Sequence, residues 1–176
     1  CAALGRPPPQ GHEYQEHNTL LNTSTSGEYR RMDSSLLDGV RAHLATRVVG
    51  QRELIDSMLI CLLSGGHLLV EGMPGLAKTT AVKALAEAIE GDYHRVQFTP
   101  DLLPADVTGT QVFDPKTSSF VPHKGPVFAN LVLADEINRA PAKTQAALFE
   151  VMEEYRVTVD GETYPMGFPF FVIATQ

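Results

Sequence analysis

An α/β fold, a parallel sheet flanked by helices, is what this sequence predicts, and three observations predict it. From His67 onward, short apolar runs alternate with helical repeats, the pattern of parallel strands joined by crossover helices. One run, Asn130 to Ala134, is apolar at nearly every position, as a strand buried on both faces must be. A glycine-rich loop joins the first apolar run to the helix after it.

Taken in order, residues 1–32 carry Pro7, Pro8 and Pro9 among Gly, Asn, Thr and Ser, with few apolar side chains. Such a segment buries too little surface to offset its ordering entropy, so a disordered lead-in is expected before a folded domain over 33–176. A helix is expected from Asp33, with Leu36, Leu37, Val40, His43 and Leu44 at helical spacing. Val48, Val49, Gly50 and Gln51 interrupt it. A second helix follows over 52–63, with Leu54, Ile55, Met58, Leu59 and Leu62 on one face and Gly65 as its stop.

Strands are then expected at 67–70, 95–98, 130–134 and 170–174. Helices are expected at 78–90, burying Ala81, Val82 and Leu85, and at 143–153, burying Ala147, Leu148, Val151 and Met152. Two hairpins break the alternation. One runs from Thr110 to Val121. The other, from Arg156 to Tyr164, turns at Asp160-Gly161, a strong hairpin signal.

Composition narrows the function. Hydrophobic residues make up 43% of the 176, enough for a packed core, and the net charge of -7 speaks against a general nucleic-acid binder. No signal peptide and no apolar run of transmembrane length is present in the sequence. Cys1 and Cys61 do not form a disulfide framework, so a reducing, cytoplasmic setting is expected. The six histidines show no metal-ligand spacing and read as surface or strand-edge residues. The chain opens on Cys1 and closes on Gln176 within an apolar run, so both ends are expected to be cut.

The chemistry is concentrated in two places. Gly72, Met73, Pro74, Gly75, Leu76, Ala77, Lys78, Thr79 and Thr80 lie between a strand and a helix. Backbone N–H groups of such a loop can surround phosphate oxygens, and a helix N-terminus adds partial positive charge. Lys78 is placed to reach the outer phosphates, and the Thr79 hydroxyl to ligate Mg²⁺. Ala77 stands where the general motif has glycine, so the backbone there must be right-handed or strained. The second place is Asp135 and Glu136, delivered at the C-terminal end of a buried strand, where ligands bind in open α/β sheets. Asp135 is the expected Mg²⁺ residue and Glu136 the expected base or orienting group for an attacking water.

These segments resemble the MoxR family of AAA+ ATPases. The similar stretches are Gly72 to Thr79 (with alanine before the lysine), Thr99 to Pro104, Lys124 to Ala129, Ala134 to Pro141, Lys143 to Gln145, and Pro169 to Gln176. The resemblance covers about residues 34–176 and implies a P-loop NTPase that binds ATP with Mg²⁺ and hydrolyses it between subunits of a ring, a hexamer. It implies chaperone-like work on partner proteins, von Willebrand factor A domain proteins among them, with no nucleic acid and no membrane insertion. It places Val49 and Gly50 beside the adenine, unless that stretch is a plain interhelix turn. It makes the hairpin at 110–121 a substrate-facing element. Arg139 would be either a subunit-boundary residue or a surface arginine. A fifth strand beside the first, a water-orienting asparagine, an arginine finger and a helical lid would follow Gln176, so the chain is expected to be truncated before them. A nucleotide-binding module without turnover and a chelatase-type motor subunit remain as alternatives.

Overall fold

The structure, a computed structural model, describes residues 34–72 and 76–176. The expected lead-in over 1–32 and the loop residues Met73, Pro74 and Gly75 lie outside the described residues. In chain order the elements are α1 (Ser34–Arg47), α2 (Arg52–Ser64), β1 (Leu68–Val70), α3 (Leu76–Ala88), β2 (Tyr93–Gln97), α4 (Pro104–Thr108), β3 (Gly109–Asp114) and β4 (Ser119–Lys124). They continue with β5 (Leu131–Asp135), a 3₁₀ turn (Ile137–Arg139), α5 (Ala142–Glu154), β6 (Arg156–Val159), β7 (Glu162–Pro165) and β8 (Phe171–Thr175).

Four strands form one parallel sheet in the order β1-β8-β5-β2, and β3-β4 and β6-β7 are separate antiparallel hairpins. The two central strands are buried along their whole length except for Asp135, which is half-buried. Alternation along a strand sends successive side chains to opposite faces, and here it separates two cores. Leu131, Leu133, Phe171 and Ile173 pack with α1, α2 and α3 through Leu44, Met58, Val82 and Leu85. Val132, Ala134, Val172 and Ala174 pack on the other face, against Val107 of α4, Leu148 and Val151 of α5, and Val157 and Val159 of β6. Full burial of each such aliphatic or aromatic side chain contributes about 1.5–3 kcal/mol.

The helices form where the apolar spacing places them, with instructive departures. α2 buries Ile55, Met58 and Leu59, and closes on Gly65 at φ +66°, whose neighbour Gly66 donates its N–H to the Cys61 carbonyl at 2.8 Å. Leu36, expected to face the core, is 71% exposed. The core contacts lie further along, at Leu44 of α1 and at Val48 just after it, with Val40 partly buried, so the first turn projects beyond the core. Cys61 is partly buried and is a free thiol. In α5, Ala147 and Met152 are only half-buried, whereas Thr144 is fully buried. Its hydroxyl donates to the Leu102 carbonyl at 2.6 Å, which satisfies the polar group and ties α5 to the loop before α4. The short helix α4 has no counterpart in the sequence reading.

His67 sits beside an edge strand, as expected, yet it is not a free surface group. Its Nδ1 accepts the Val172 N–H at 3.0 Å and its Nε2 lies 3.1 Å from the Met152 carbonyl, so the proton resides on Nε2. The ring stacks on Tyr155 and meets Phe170 edge-on. Burial lowers its pKa, and the hydrogen bond to Met152 opposes that only in part. The fold thus favours the neutral ring, whereas the unfolded chain titrates near the ordinary value of about 6.5. The unfolded state therefore binds more protons as pH falls, so stability present above about 6.5 declines below it. Thermal midpoints measured from pH 7.5 to 5 should fall more steeply for the wild type than for His67→Gln, which cannot titrate. Parallel declines would refute the assignment.

Candidate functional site

β1 and β8 run side by side to the start of the loop. Gln176 donates its N–H to the Val70 carbonyl at 3.2 Å, and Gly72 donates to the Gln176 carbonyl at 3.3 Å. The chain re-enters the described residues as α3, whose first turn contains Leu76 and Ala77. Ala77 is helical, hence right-handed, which is the unstrained one of the two conformations expected for it. The Lys78 ammonium donates to the Gly72 carbonyl at 3.3 Å, closing the loop across its mouth.

Across from this loop stand Asp135 and Glu136. Together with Gly72, Lys78, Thr79, Thr80, Lys83, Arg95, Gln97, Thr175 and Gln176 they line one cavity of about 550 Å³ at the C-terminal ends of the strands. That is the size range and the position of a small-molecule site in an open parallel sheet. The structure therefore brings together Gly72, Lys78, Thr79, Thr80, Asp135 and Glu136. Val49 and Gly50 lie in the turn between α1 and α2 and are not part of this lining; Val49 is exposed and Gly50 has φ +79°.

Strand alternation explains how the acidic pair is aimed. Asp135 continues the face of Leu131 and Leu133, the face covered by α3, and so points toward the loop. Glu136 would by alternation face the other way. It adopts φ +54° and ψ +47° instead, a left-handed conformation that non-glycine residues rarely take. This turn carries its carboxylate into the same cavity. Strain of this kind, worth of order 1–3 kcal/mol, persists where neighbours over-determine it. Here they do. The Glu136 N–H donates to Thr175 Oγ1 at 3.0 Å, and that hydroxyl donates to Asp135 Oδ1 at 2.7 Å, so one buried threonine pins both residues.

The remaining carboxylate oxygens are also engaged. Gln97 Nε2 donates to Glu136 Oε2 at 2.7 Å, and Arg139 Nε lies 3.3 Å from the same oxygen. Arg139 is a largely exposed arginine paired with the acid three residues before it. Arg95 donates from Nε to Asp135 Oδ2 at 2.8 Å, and its Nη2 meets the same oxygen. Lys83, Arg95, Gln97, Thr175 and Gln176 are the lining residues the sequence reading missed. The signal was present for two of them. Arg95 and Gln97 are polar at i and i+2 on a strand whose intervening Val96 is buried, which puts both on one face beside Asp135.

A phosphate-bearing ligand with a divalent cation is the group this arrangement suits. Helix α3 offers the cations Lys78 and Lys83, matching the charge of phosphates, with the Thr79 hydroxyl beside them. The strand ends opposite offer the carboxylates of Asp135 and Glu136, the hard oxygen donors that Mg²⁺ selects, with Arg95 paired to Asp135.

Comparison with known proteins agrees. The sequence profile of the ATPase family associated with various cellular activities (AAA) matches residues 67–176. The chain is 54% identical over 129 residues to Chaperone MoxR1 of Mycobacterium tuberculosis, covering 73% of this chain and 34% of that protein. It is 51% identical over 141 residues to YeaC of Bacillus subtilis, covering 80% of this chain and 44% of that protein. A crystal structure of a Cytophaga hutchinsonii protein, provisionally assigned as an ATPase, superposes with a TM-score of 0.74 at 49% identity, over 81% of this chain and 43% of that one. The chain belongs to the AAA ATPases, in their MoxR family. It spans less than half the length of these relatives.

Proposed function

We propose that this chain binds ATP with Mg²⁺ between the Gly72–Thr80 loop and the Asp135–Glu136 pair, and that the whole protein hydrolyses ATP to remodel partner proteins. The observation that carries the reading is the convergence of Lys78, Thr79, Asp135 and Glu136 on one cavity at the C-terminal edge of the parallel sheet. In this reading 33–176 forms a nucleotide-binding domain. Met73, Gly75, Leu76 and Ala77 supply backbone N–H groups to the phosphates, Gly72 and Pro74 (which has no N–H) shape the turn between strand and helix, Thr80 assists, and Lys78 neutralises the outer phosphates. Thr79 and Asp135 hold Mg²⁺, which when bound polarises the phosphate oxygens. Glu136 takes the proton of an attacking water or orients it. Val49 and Gly50, in the turn between the two helices that precede β1, are assigned to the adenine by family resemblance alone.

The chaperone role rests on the name carried by the M. tuberculosis relative. Assembly into a ring, a hexamer, and partners with von Willebrand factor A domains rest on membership of the family. A cytoplasmic location fits this work; among the described residues no helix is long and apolar enough to cross a membrane.

Fluorescent-nucleotide titration of the chain in Mg²⁺, wild type against Lys78→Ala, tests the site. Charge-assisted hydrogen bonds contribute about 1.5–3 kcal/mol, so affinity should fall roughly 10- to 150-fold. Equal affinity in the two proteins would sink the proposal.

A further inference from the structure

Arg95 does something that the reading above leaves unassigned. It lies on β2, one register step from the acidic pair: Gln97 is level with Asp135, and Arg95 with Leu133. Its guanidinium reaches back along the strand and engages Oδ2 of Asp135 through two nitrogens, Nε at 2.8 Å and Nη2. Asp135 is well covered, with only 17% of its side chain exposed, whereas half of the Arg95 side chain is open to the cavity. The carboxylate is fixed and the cation is free to leave without unpacking the core. Arg95 also reaches the second acid. Its Nη2 lies 3.5 Å from Gln97 Oε1, and the Gln97 amide nitrogen donates to Glu136 at 2.7 Å. One guanidinium thus sets the direction of the glutamine that holds Glu136.

We propose that Arg95 is the internal counter-ion of the metal-free site, a positioning residue that occupies Asp135 Oδ2 until a divalent cation arriving with nucleotide displaces it. A carboxylate that is mostly covered is stabilised by a positive partner. Arginine supplies one permanently, since it does not lose its proton in proteins. Mg²⁺ prefers carboxylate oxygens and must take them from whatever holds them. The guanidinium and the metal therefore compete for one oxygen. Metal binding in turn loosens the Arg95–Gln97–Glu136 chain, so filling the metal site alters how Glu136 is held. This inference rests on the nucleotide reading of the cavity.

The test is the dependence on free Mg²⁺, at constant ionic strength, of two readouts in wild type, Arg95→Met and Arg95→Lys. Without nucleotide, Arg95→Met should melt below the wild type in EDTA, and the gap should close as Mg²⁺ rises and replaces the missing cation. With fluorescent ATP, the free Mg²⁺ giving half-maximal binding should fall roughly two- to fivefold in Arg95→Met, the scale of one partly screened ion pair. Arg95→Lys, which keeps the charge but not the two-nitrogen geometry, should lie between and stands in if the methionine variant fails to fold. A melting gap that ignores Mg²⁺, together with equal metal dependence of binding, reduces Arg95 to a strand-to-strand ion pair and overturns the inference while leaving the nucleotide site intact. Absence of nucleotide binding in every protein, wild type included, overturns the site reading and this inference with it.

Discussion

Replacing Glu136 by glutamine in the whole protein should lower ATP hydrolysis by about 10²–10⁴-fold, the usual contribution of a positioned acid or base, with nucleotide affinity close to that of the wild type. The geometry explains why the effect should be selective. Glutamine is isosteric, and its carbonyl oxygen can still accept the hydrogen bond from Gln97 that now goes to Glu136 Oε2. The left-handed backbone at residue 136 is held by Thr175 through the main-chain N–H, which the substitution does not touch. Lys78 and Thr79 stand on the opposite wall of the cavity. What is removed is the negative oxygen that would accept or order a water proton. Phosphate release and fluorescent-nucleotide binding, measured on the same preparations, check this. Hydrolysis at the wild-type rate would take Glu136 out of its role, and loss of binding with loss of turnover would mean that the site itself had collapsed.

The second large effect is on stability. Gly125→Ala should destabilise the fold by about 3 kcal/mol or more, at the upper end of overpacking costs, because there is nowhere for a methyl group to go. Gly109, which opens β3, and Gly125, which follows β4, face each other at the base of the first hairpin. A Cβ on Gly125 would sit 2.3 Å from the Val107 carbonyl oxygen and 2.5 Å from the Gly109 nitrogen; a Cβ on Gly109 would meet the His123 carbonyl at 2.3 Å, at a φ of +97°. These obstacles are backbone atoms, which cannot rotate aside as side chains do. Val107 belongs to the core under α5, so the clash is transmitted inward. Gly39 offers the control. It lies in α1 with nothing within 4 Å of an added Cβ, and Gly39→Ala should stabilise by roughly 0.5–1 kcal/mol through helix propensity alone. Denaturant midpoints of the two variants should move in opposite directions. A Gly125→Ala midpoint equal to the wild type would show that the hairpin base yields without penalty.

The parts of the fold and site that were legible in the sequence share a physical cause: their information is local. The apolar run at 130–134 reads as a strand buried on both faces, and Leu131 to Ala134 are buried. Gly65 ends α2 in the conformation that glycine makes inexpensive. The loop and the acidic pair announce themselves by adjacency in the chain. What was not legible depends on register between distant segments. Thr175 pins Asp135 from 40 residues away, across the pairing of β5 with β8. Arg95 acquires its partner through the pairing of β2 with β5, which a single-strand reading of Arg95 to Phe98 does not contain. His67 looked like a surface residue because its two hydrogen-bond partners, Met152 and Val172, belong to the far end of the sequence. The left-handed turn at Glu136 was hidden for a related reason. Nothing in glutamate's own preferences asks for it; the neighbours impose it.

The alternation of the two cores along β5 and β8 carries a consequence for how this site can change. Odd-numbered residues on β2, β5 and β8 face the α3 layer and even-numbered residues the α5 layer, so Arg95, Gln97, Asp135 and Thr175 share one parity with the apolar residues behind them. The polar groups have no independent address; they inherit their side of the sheet from the packing upstream. Losing or gaining a single residue within β5 would exchange its two apolar sets and turn Asp135 away from the loop in the same stroke. Substitution can tune this site, but length variation within its strands cannot, and insertions in such a chain are confined to the hairpins and turns outside the sheet.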